Sequence, residues 1–310
     1  MDVRIRDLPF NPAAVPGLSS SLLRSHHQNN YGGAVKRLNA LRAELAATPF
    51  ATTPGYLLNG LKREELIATN SMLLHELYFA SLGGDGLSMA PAFELALAAN
   101  FGSVQRWREE FIAMGNALGG GSGWVLLTFQ PREGALVNQW AADHTHALAG
   151  GVPVLALDMY EHAYHMDHGA ATGAYIDAFM ANIDWARVYE RYQHAVHAAS
   201  EPFAAAQDDI AGAQVFDVRR AGVYAQAATM LPGALWRDPG DVARWVGELN
   251  ADDDVVVYCV YGHEVGRATA LRLRAAGVNA RYLSGGIDAW SGAGRPVVPK
   301  AVASDQGAAP

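Results

Sequence analysis

The stretch Val152-Pro-Val-Leu-Ala-Leu-Asp158-Met-Tyr-Glu-His162-Ala-Tyr164 decides the fold of the first part of this chain. Its apolar beginning predicts a buried strand that delivers the Asp158 carboxylate into the interior, where an unpaired charge is very costly. His162 follows four residues later, so a cation shared by the two side chains would satisfy the carboxylate. On spacing alone the more ordinary interpretation also stands: Asp158 caps a following helix, and His162 is a core histidine bonded to a backbone carbonyl.

The composition is that of a soluble globular protein with room for two cores. The chain has 310 residues, a formal net charge of -8, a pI near 5.7 and no cluster of Lys or Arg, which argues against nucleic acid or an anionic membrane as a partner. No apolar run reaches the roughly twenty residues of a membrane span, and the first residues lack the apolar core of a signal peptide, so we expect a cytoplasmic protein. Cys259 is the single cysteine, which leaves His and carboxylate to hold any metal.

Apolar periodicity predicts an α+β first domain. Helical spacing over 22–47 and 61–82, with a turn at 52–55, predicts a helical hairpin. The rest of the domain is expected to be mixed α/β with a small antiparallel sheet. Its expected elements are a helix over 92–118, strands over 125–129, 135–140 and 152–157, a helix over 174–187, and a last helical piece to about residue 199.

The pattern changes after residue 198. Residues 199–210 are small and polar without a clear period, which predicts a linker. Strands over 213–218, 255–260 and 280–283 then alternate with helices over 240–249 and 265–276, the pattern of an α/β domain whose parallel sheet is covered by helices on both faces. We therefore predict a first domain over 1–198, a linker over 199–210, a second domain over 211–300 and a disordered tail over 301–310.

Two further histidines extend the Asp158 and His162 pair to four candidate ligands. His26 and His75 lie one in each arm of the predicted hairpin, where facing helices can present imidazoles to one cation. Three His and one Asp form a nitrogen-rich set with one hard oxygen, which suits Fe or Mn. Zinc would also bind these ligands, but it cannot change oxidation state.

The first 200 residues resemble the iron/manganese superoxide dismutase family over roughly residues 5–192. The resemblance implies conversion of superoxide to dioxygen and hydrogen peroxide at one Fe or Mn ion per subunit, with His26, His75, Asp158 and His162 as ligands. It also implies a homodimer or larger homo-oligomer, in which Glu161 reaches the metal-binding His of the other subunit. The motifs that carry it, in the family's order, are Leu8-Pro-Phe, His26-His27, Leu38-Asn-Ala-Leu41, His75-Glu-Leu-Tyr-Phe79, Phe101-Gly-Ser103, Gly121-Ser-Gly-Trp124, Asp158 to Tyr164 (with Tyr160 in place of the usual Trp) and Ile183-Asp-Trp185.

The family places a Gln or a His beside the metal-bound water, where it tunes the reduction potential of the metal. Trp124 belongs to one of the family's motifs, and the resemblance implies that it is a catalytic residue. The spacing from Trp124 to His144 matches that in relatives that use a His. His144 is therefore the expected residue, with Gln139 and His146 as weaker candidates. The alternative is that His144 is a loop histidine in water.

The first helix departs from the family pattern. Most relatives have a His one turn and a Tyr two turns after the first ligand, and these positions are here Asn30 and Ala34. His165 stands where the family usually has a Tyr that pairs with that gateway His of the neighbouring subunit, so an Asn30–His165 contact is a candidate replacement. Tyr31 is the candidate cover of the substrate funnel, although an α-helix turns it about 100° away from Asn30.

The second domain resembles rhodanese-like domains over about residues 211–298. Phe216-Asp-Val-Arg219, Leu231-Pro-Gly-Ala234, the Cys259 loop and the segment from Leu283 to Trp290 carry the resemblance, which implies persulfide chemistry at Cys259. Loop N–H groups and a helix N-terminus are expected to lower the pKa of this thiol. The alternative is that Cys259 is a buried small residue. Glu264 would oppose a dianionic sulfur donor such as thiosulfate.

Three functions follow from the sequence. The first is a superoxide dismutase with an appended rhodanese-like domain. The second is a sulfurtransferase, acting on a sulfur donor, whose dismutase-like part binds metal and dimerises without catalysis. The third is a redox or metal sensor in which the altered gateway has replaced turnover by binding. The four ligands and His144 favour the first function, whereas Asn30 and Ala34 favour the other two.

Overall fold

The computed structural model describes residues 2–300 of the chain, and the predicted tail over 301–310 lies outside this range. The described residues form two compact units, one of residues 2–130 and 136–192 and the other of residues 131–135 and 193–300. None of the helices within residues 2–300 combines the length and the apolar character that a membrane span requires.

The first unit begins with the predicted helical hairpin. Helices α1 (Ser20–Ser25) and α2 (Gly32–Ala47) form one arm, and α3 (Gly55–Ala80) forms the other. The first arm is not one continuous α-helix, because His26–Tyr31 between α1 and α2 is a π-helical segment. At its end the Gly32 N–H donates to the His27 carbonyl five residues back. A π turn holds more residues than an α turn, so the positions after His26 face other directions than α-helical spacing predicts.

Two predicted helices are each divided in the structure. The helix expected over 92–118 is α4 (Pro91–Phe101) followed by α5 (Val104–Ala117). Gly102 ends α4 with a φ of 87°, which no α-helix continues, and the Ser103 hydroxyl accepts the Arg106 N–H to cap α5. The helix expected over 174–187 ends at Ala181, and Ile183, two residues later, forms a β-bridge with Leu82. The helices of this region are α6 (His165–His168), α7 (Thr172–Ala181) and α8 (Trp185–Ser200).

The small sheet of the first unit confirms the three predicted strands to within one residue at each end. Its strands are β1 (Trp124–Gln130), β2 (Ala135–Ala141) and β3 (Val152–Asp158), in the order β2-β1-β3. β1 pairs antiparallel with β3, so that Trp124 lies opposite Asp158, and the register shifts between Leu127 and Thr128. The strand therefore ends with its carboxylate inside the unit, as its apolar sequence predicts.

The second unit is built on the predicted parallel sheet. In its strand Asp254–Tyr258, Val255 and Val257 belong to one hydrophobic core and Val256 and Tyr258 to another, so both faces of the sheet are covered. The strands are β4 (Ala204–Ala205), β5 (Gln214–Asp217), β7 (Leu235–Trp236), β8 (Asp254–Tyr258) and β9 (Asn279–Leu283) in the order β4-β9-β8-β5-β7, with β6 (Thr229–Met230) and β10 (Val298–Pro299) as a separate pair. The helices are α9 (Ala221–Gln226), α10 (Val242–Trp245), α11 (Glu264–Ala275) and α12 (Gly286–Gly292).

The segment over 199–210, expected to be a linker, contains ordered structure. Glu201–Phe203 form a turn of 3-10 helix, and β4 pairs in parallel with Tyr282 and Leu283 of β9 at the edge of the sheet. A strand of two alanines offers no alternating pattern to recognise, because only one of its two residues turns a small side chain into the core.

Candidate metal centre

Four side chains from separate parts of the first unit meet in its interior. His26 begins the π segment, His75 lies in α3, Asp158 ends β3, and His162 lies in the 3-10 turn Glu161–Ala163. Each offers one ligand atom, and these atoms lie within 4.8 Å of one another. His26, His75 and Asp158 are at most 1% exposed, whereas the His162 side chain is 26% exposed. The structure thus brings all four predicted ligands together, with His162 on the accessible side.

Asp158 Oδ2 lies at the middle of this cluster. It is 3.1 Å from His26 Nε2, 3.2 Å from His162 Nε2 and 3.5 Å from His75 Nε2. Burial alone would raise the pKa of Asp158, but the His162 and His26 imidazoles hold this pKa below its usual range. The buried carboxylate is therefore charged, and the three rings face it.

Backbone and side-chain bonds fix the position of the carboxylate. The Tyr160 N–H donates to Asp158 Oδ1 at 2.9 Å, and the Tyr175 hydroxyl donates to the Asp158 carbonyl at 2.7 Å. Pairing with Trp124 holds the strand itself. The side chain at the end of β3 is consequently held from three directions before any ion is bound.

His75 tests whether the cluster fits a cation. Its Nδ1 donates to the Ser71 carbonyl at 2.6 Å, and burial lowers the pKa of His75 to about 3, so the ring is neutral and Nε2 carries a lone pair. That lone pair lies 3.3 Å from His162 Nε2 and 3.5 Å from the Asp158 carboxylate, which can only accept. The lone pair on His75 Nε2 and the charged Asp158 carboxylate repel each other at 3.5 Å. A cation between them turns the repulsion into coordination.

The separations between the donor atoms agree with this interpretation. Metal–nitrogen and metal–oxygen bonds of about 2.1 Å at angles of 90–120° place two ligand atoms about 3.0–3.6 Å apart. Four of the six separations among the ligand atoms of Asp158, His26, His75 and His162 are 3.1–3.5 Å. Three imidazole nitrogens and one carboxylate oxygen form a donor set that accepts Fe or Mn.

His144 and Trp124 lie beside the cluster. The Trp124 indole Nε1–H donates to His144 Nδ1 at 3.0 Å, and burial lowers the pKa of His144, so the neutral ring carries its proton on Nε2. The Trp124 ring also meets His75 edge-on, with 5.2 Å between centroids, and the His144 centroid is 6.1 Å from that of His75. The two residues therefore form one unit in contact with a ligand.

The weaker candidates for this position are engaged elsewhere. Gln139 accepts from the Thr128 hydroxyl at 3.1 Å and donates to the His146 carbonyl at 3.3 Å. His146 Nδ1 accepts the Ala142 N–H, and its ring stacks on Trp140. Of the three candidates, His144 is the one whose ring contacts a ligand imidazole.

Tyr160 is a residue of the site to which the sequence assigned no role. Its ring is parallel to those of His144 and His162 at once, with centroids 4.8 Å and 5.4 Å away and 14° between the planes in each case. Burial raises the pKa of its hydroxyl to about 12. The available signal was that Tyr160 replaces an aromatic residue of the family motif, but spacing does not show that the ring reaches back to His144.

Tyr31 is not in ring contact with the four ligands. Its hydroxyl accepts the Arg6 N–H at 2.9 Å and donates to Glu76 Oε1 at 2.9 Å. Within residues 2–300, the ring contacts of Tyr31 are with His27 and Phe79. The π segment explains why the direction expected from 100° per residue does not apply here.

The residues expected at a subunit interface are accessible in the chain. Glu161 and His165 are exposed, and Asn30 is partly buried. Glu161 directly precedes the ligand His162, so a neighbouring chain can approach both. The predicted contacts of these residues across an interface stay predictions.

Cys259 follows β8 in the second unit and is 6% exposed. Burial raises the pKa of this thiol, and the N–H groups of Gly266, His263 and Gly262 oppose the rise without overcoming it, while the Glu264 charge adds to it. The thiol donates to the His263 carbonyl at 3.9 Å. The expectation that the loop and helix lower this pKa is therefore wrong, because removal of the sulfur from water outweighs the nearby N–H groups.

Comparison with known proteins identifies both units. A family model described as iron/manganese superoxide dismutases, C-terminal domain, matches residues 89–191, and one described as rhodanese-like domain matches residues 201–293. The chain is 64% identical over 192 residues to superoxide dismutase (Fe) of Cupriavidus metallidurans, which covers 62% of this chain and 97% of that protein. It is 34% identical over 197 residues to superoxide dismutase (Mn) 1 of Halobacterium salinarum, covering 61% and 94%, and 32% identical over 197 residues to superoxide dismutase (Fe) of Aquifex pyrophilus, covering 61% and 91%. Through its first unit the chain belongs to the iron/manganese superoxide dismutase family, and its second unit is a rhodanese-like domain.

Proposed function

We propose that this protein is a superoxide dismutase, which converts two superoxide ions and two protons to dioxygen and hydrogen peroxide at one Fe or Mn ion. The observation that carries the proposal is the His75 lone pair, held 3.3–3.5 Å from a second imidazole and a charged carboxylate inside the unit. The 64% identity to a protein named as an iron superoxide dismutase supports this activity.

His26, His75, Asp158 and His162 would hold the ion, which when bound supplies the one-electron oxidation and reduction of superoxide. The Asp158 charge offsets part of the charge of the cation, and the Ser71 carbonyl keeps the His75 lone pair turned inward. His162 is the partly exposed ligand, so a small anion is expected to approach from its side.

His144 is the proposed proton-holding residue. Its Nδ1 is occupied by the Trp124 N–H, so the proton stays on Nε2. A fixed N–H donor stabilises negative charge that develops on oxygen, because it needs no reorientation during the reaction. Trp124 thus acts through His144, by keeping it in one tautomer.

The assembly and the remaining site residues belong to the same proposal. We propose a cytoplasmic homodimer or larger oligomer in which Glu161 of one subunit bonds a ligand His of the other, supported by the exposure of Glu161 beside His162. Tyr31 would influence the approach of substrate through its bonds to Arg6 and Glu76. A boundary between domains near residues 199–210 is supported by the start of the rhodanese-like match at residue 201.

Sulfur transfer at Cys259 is the second candidate function. It is favoured by the rhodanese-like match and by the N–H groups of Gly262, His263 and Gly266 near the sulfur. Glu264 begins α11 directly after this loop, is 5% exposed, and disfavours a dianionic donor such as thiosulfate. A sulfurtransferase or a sensor of metal or redox state would each leave the dismutase-like unit without turnover.

The test is metal analysis of the purified chain, paired with a superoxide dismutation assay after separate reconstitution with Fe and Mn. We expect one ion per subunit and activity with at least one of the metals. His75→Ala should lose metal and activity together, whereas Cys259→Ser and the exposed control His194→Ala should keep both. Stoichiometric metal without dismutation in either form would refute the proposal and direct attention to Cys259.

A further inference from the structure

Tyr160 contacts two ligands and the proposed proton-holding residue at once. Its ring stacks on the imidazole of His144 and on that of His162, nearly parallel to both, and its backbone N–H donates to Asp158 Oδ1 at 2.9 Å. We propose that Tyr160 is a positioning residue, whose ring fixes the orientation of the His144 imidazole and therefore the direction of its Nε2–H. This inference rests on the proposed function.

The remaining contacts of His144 leave this orientation undetermined. The Trp124 N–H holds Nδ1 at 3.0 Å, and the Asn70 side chain donates to the His144 carbonyl at 2.5 Å. One hydrogen bond at Nδ1 fixes a point on the ring but allows the ring to swing about that bond. A flat face 4.8 Å from the ring centroid, at 14°, removes the swing.

The same ring lies against the ligand His162. The planes of the His144 and His162 rings each lie 14° from the plane of the Tyr160 ring. The backbone of Tyr160 is itself anchored to Asp158. Through Tyr160, the position of the His144 ring therefore depends on His162 and Asp158.

The Tyr160 hydroxyl bonds the Ser122 side chain and the His144 backbone, whereas the imidazole of His144 meets the ring, and the proposal concerns the ring. Phe at position 160 keeps the ring, and Trp, the usual residue of the family motif, offers a larger one. Leu keeps an apolar side chain but has no planar face. A residue that merely fills space would tolerate Leu nearly as well as Phe, so this series separates positioning from packing.

The experiment uses the full chain loaded with iron and azide as the probe, a small anion that binds Fe(III). Azide dissociation constants are taken from absorption titrations, with iron content measured on each sample. We expect Tyr160→Phe and Tyr160→Trp to stay close to the wild type and Tyr160→Leu to bind azide about two- to tenfold more weakly, the range of a lost aromatic stack. The control is Tyr56→Leu, at a tyrosine that is 82% exposed.

A double-mutant cycle tests whether Tyr160 acts through His144. In the His144→Ala background, Tyr160→Leu should cause no further loss of azide affinity. An undiminished effect in that background, a Leu variant equal to the wild type, or loss of iron from the Leu variant alone would each overturn the inference. If the wild type binds iron and dismutes superoxide but all variants bind azide equally well, this inference is refuted and the proposed function stands.

A readout that does not need iron separates the inference from the proposed function. If the wild type holds no iron, nitrogen-15 NMR of histidines in the metal-free chain replaces the titration. The expected result is one sharp Nε2 signal of His144 in the wild type and in Tyr160→Phe, and an Nε2 signal broadened by motion of the ring in Tyr160→Leu, while the Trp124 N–H keeps the same tautomer in all three. Equally sharp signals in all three would overturn the inference.

Discussion

Replacement of Trp124 by Phe tests the tautomer of His144 most directly. Phe keeps a buried aromatic ring opposite Asp158 but removes the indole N–H that lies 3.0 Å from His144 Nδ1. One neutral hydrogen bond contributes about 1 kcal/mol, which is roughly fivefold in an equilibrium constant, since 1.4 kcal/mol is tenfold. The preference for a proton on Nε2 should fall by that factor.

We therefore expect Trp124→Phe to dismute superoxide about two- to tenfold more slowly, with unchanged metal content because Trp124 is not a ligand. Activity per bound metal is the quantity to measure, by rapid mixing with superoxide. The matched control is Trp140→Phe, at a Trp that is 52% exposed and stacks on His146. Full activity per metal in Trp124→Phe would refute the assignment of the proton to Nε2 and the role given to Trp124.

Three further predictions concern stability and reactivity. Tyr175→Phe removes the 2.7 Å bond to the Asp158 carbonyl and should lower the free energy of unfolding of the first unit by about 1 kcal/mol in a urea titration, and an unchanged midpoint would contradict this. Gly115→Ala should lower it by about 1–3 kcal/mol, because the added Cβ would lie 2.9 Å from a side chain of α7. Gly33→Ala in α2, with nothing within 4 Å, should instead raise it by about 0.5–1 kcal/mol, so equal effects of the two changes would be inconsistent with the packing. The rate of alkylation of Cys259 by iodoacetamide should rise with pH, with a midpoint at higher pH in the folded chain than in the urea-unfolded chain, because burial raises the pKa of the folded thiol. A midpoint at lower pH in the folded chain would overturn this prediction.

The sequence predicted which four side chains would meet, because each lies in a motif of the family that the chain resembles. His26, His75, Asp158 and His162 are far apart along the chain, but their flanking residues occur in one family's order, and the structure brings the four ligand atoms within 4.8 Å. The strand before Asp158 was also predicted correctly, because its apolar residues are stable only when they are buried in the interior.

The features that were missed depend on contacts distant in sequence. The π segment over His26–Tyr31 is one extra residue in a helical turn, which apolar periodicity does not detect. The stack of Tyr160 on His144 joins residues from two loops, so neither local segment indicates it. The pKa of Cys259 reversed its expected direction because burial of the sulfur is a property of the folded unit and not of the loop sequence.

The pairing of Trp124 with Asp158 also determines which changes of length this fold tolerates. Asp158 and Trp124, whose N–H donates to His144, face each other across one pair of strands, and the inner pairs continue to Leu127 and Leu155. Deletion of one residue within these pairs would turn Asp158 toward the opposite face of the sheet, since side chains alternate along a strand. The bulge after Leu127 separates the outer pairs from the inner ones, so a change of register among the outer pairs is absorbed at the bulge before it reaches Trp124 and Asp158.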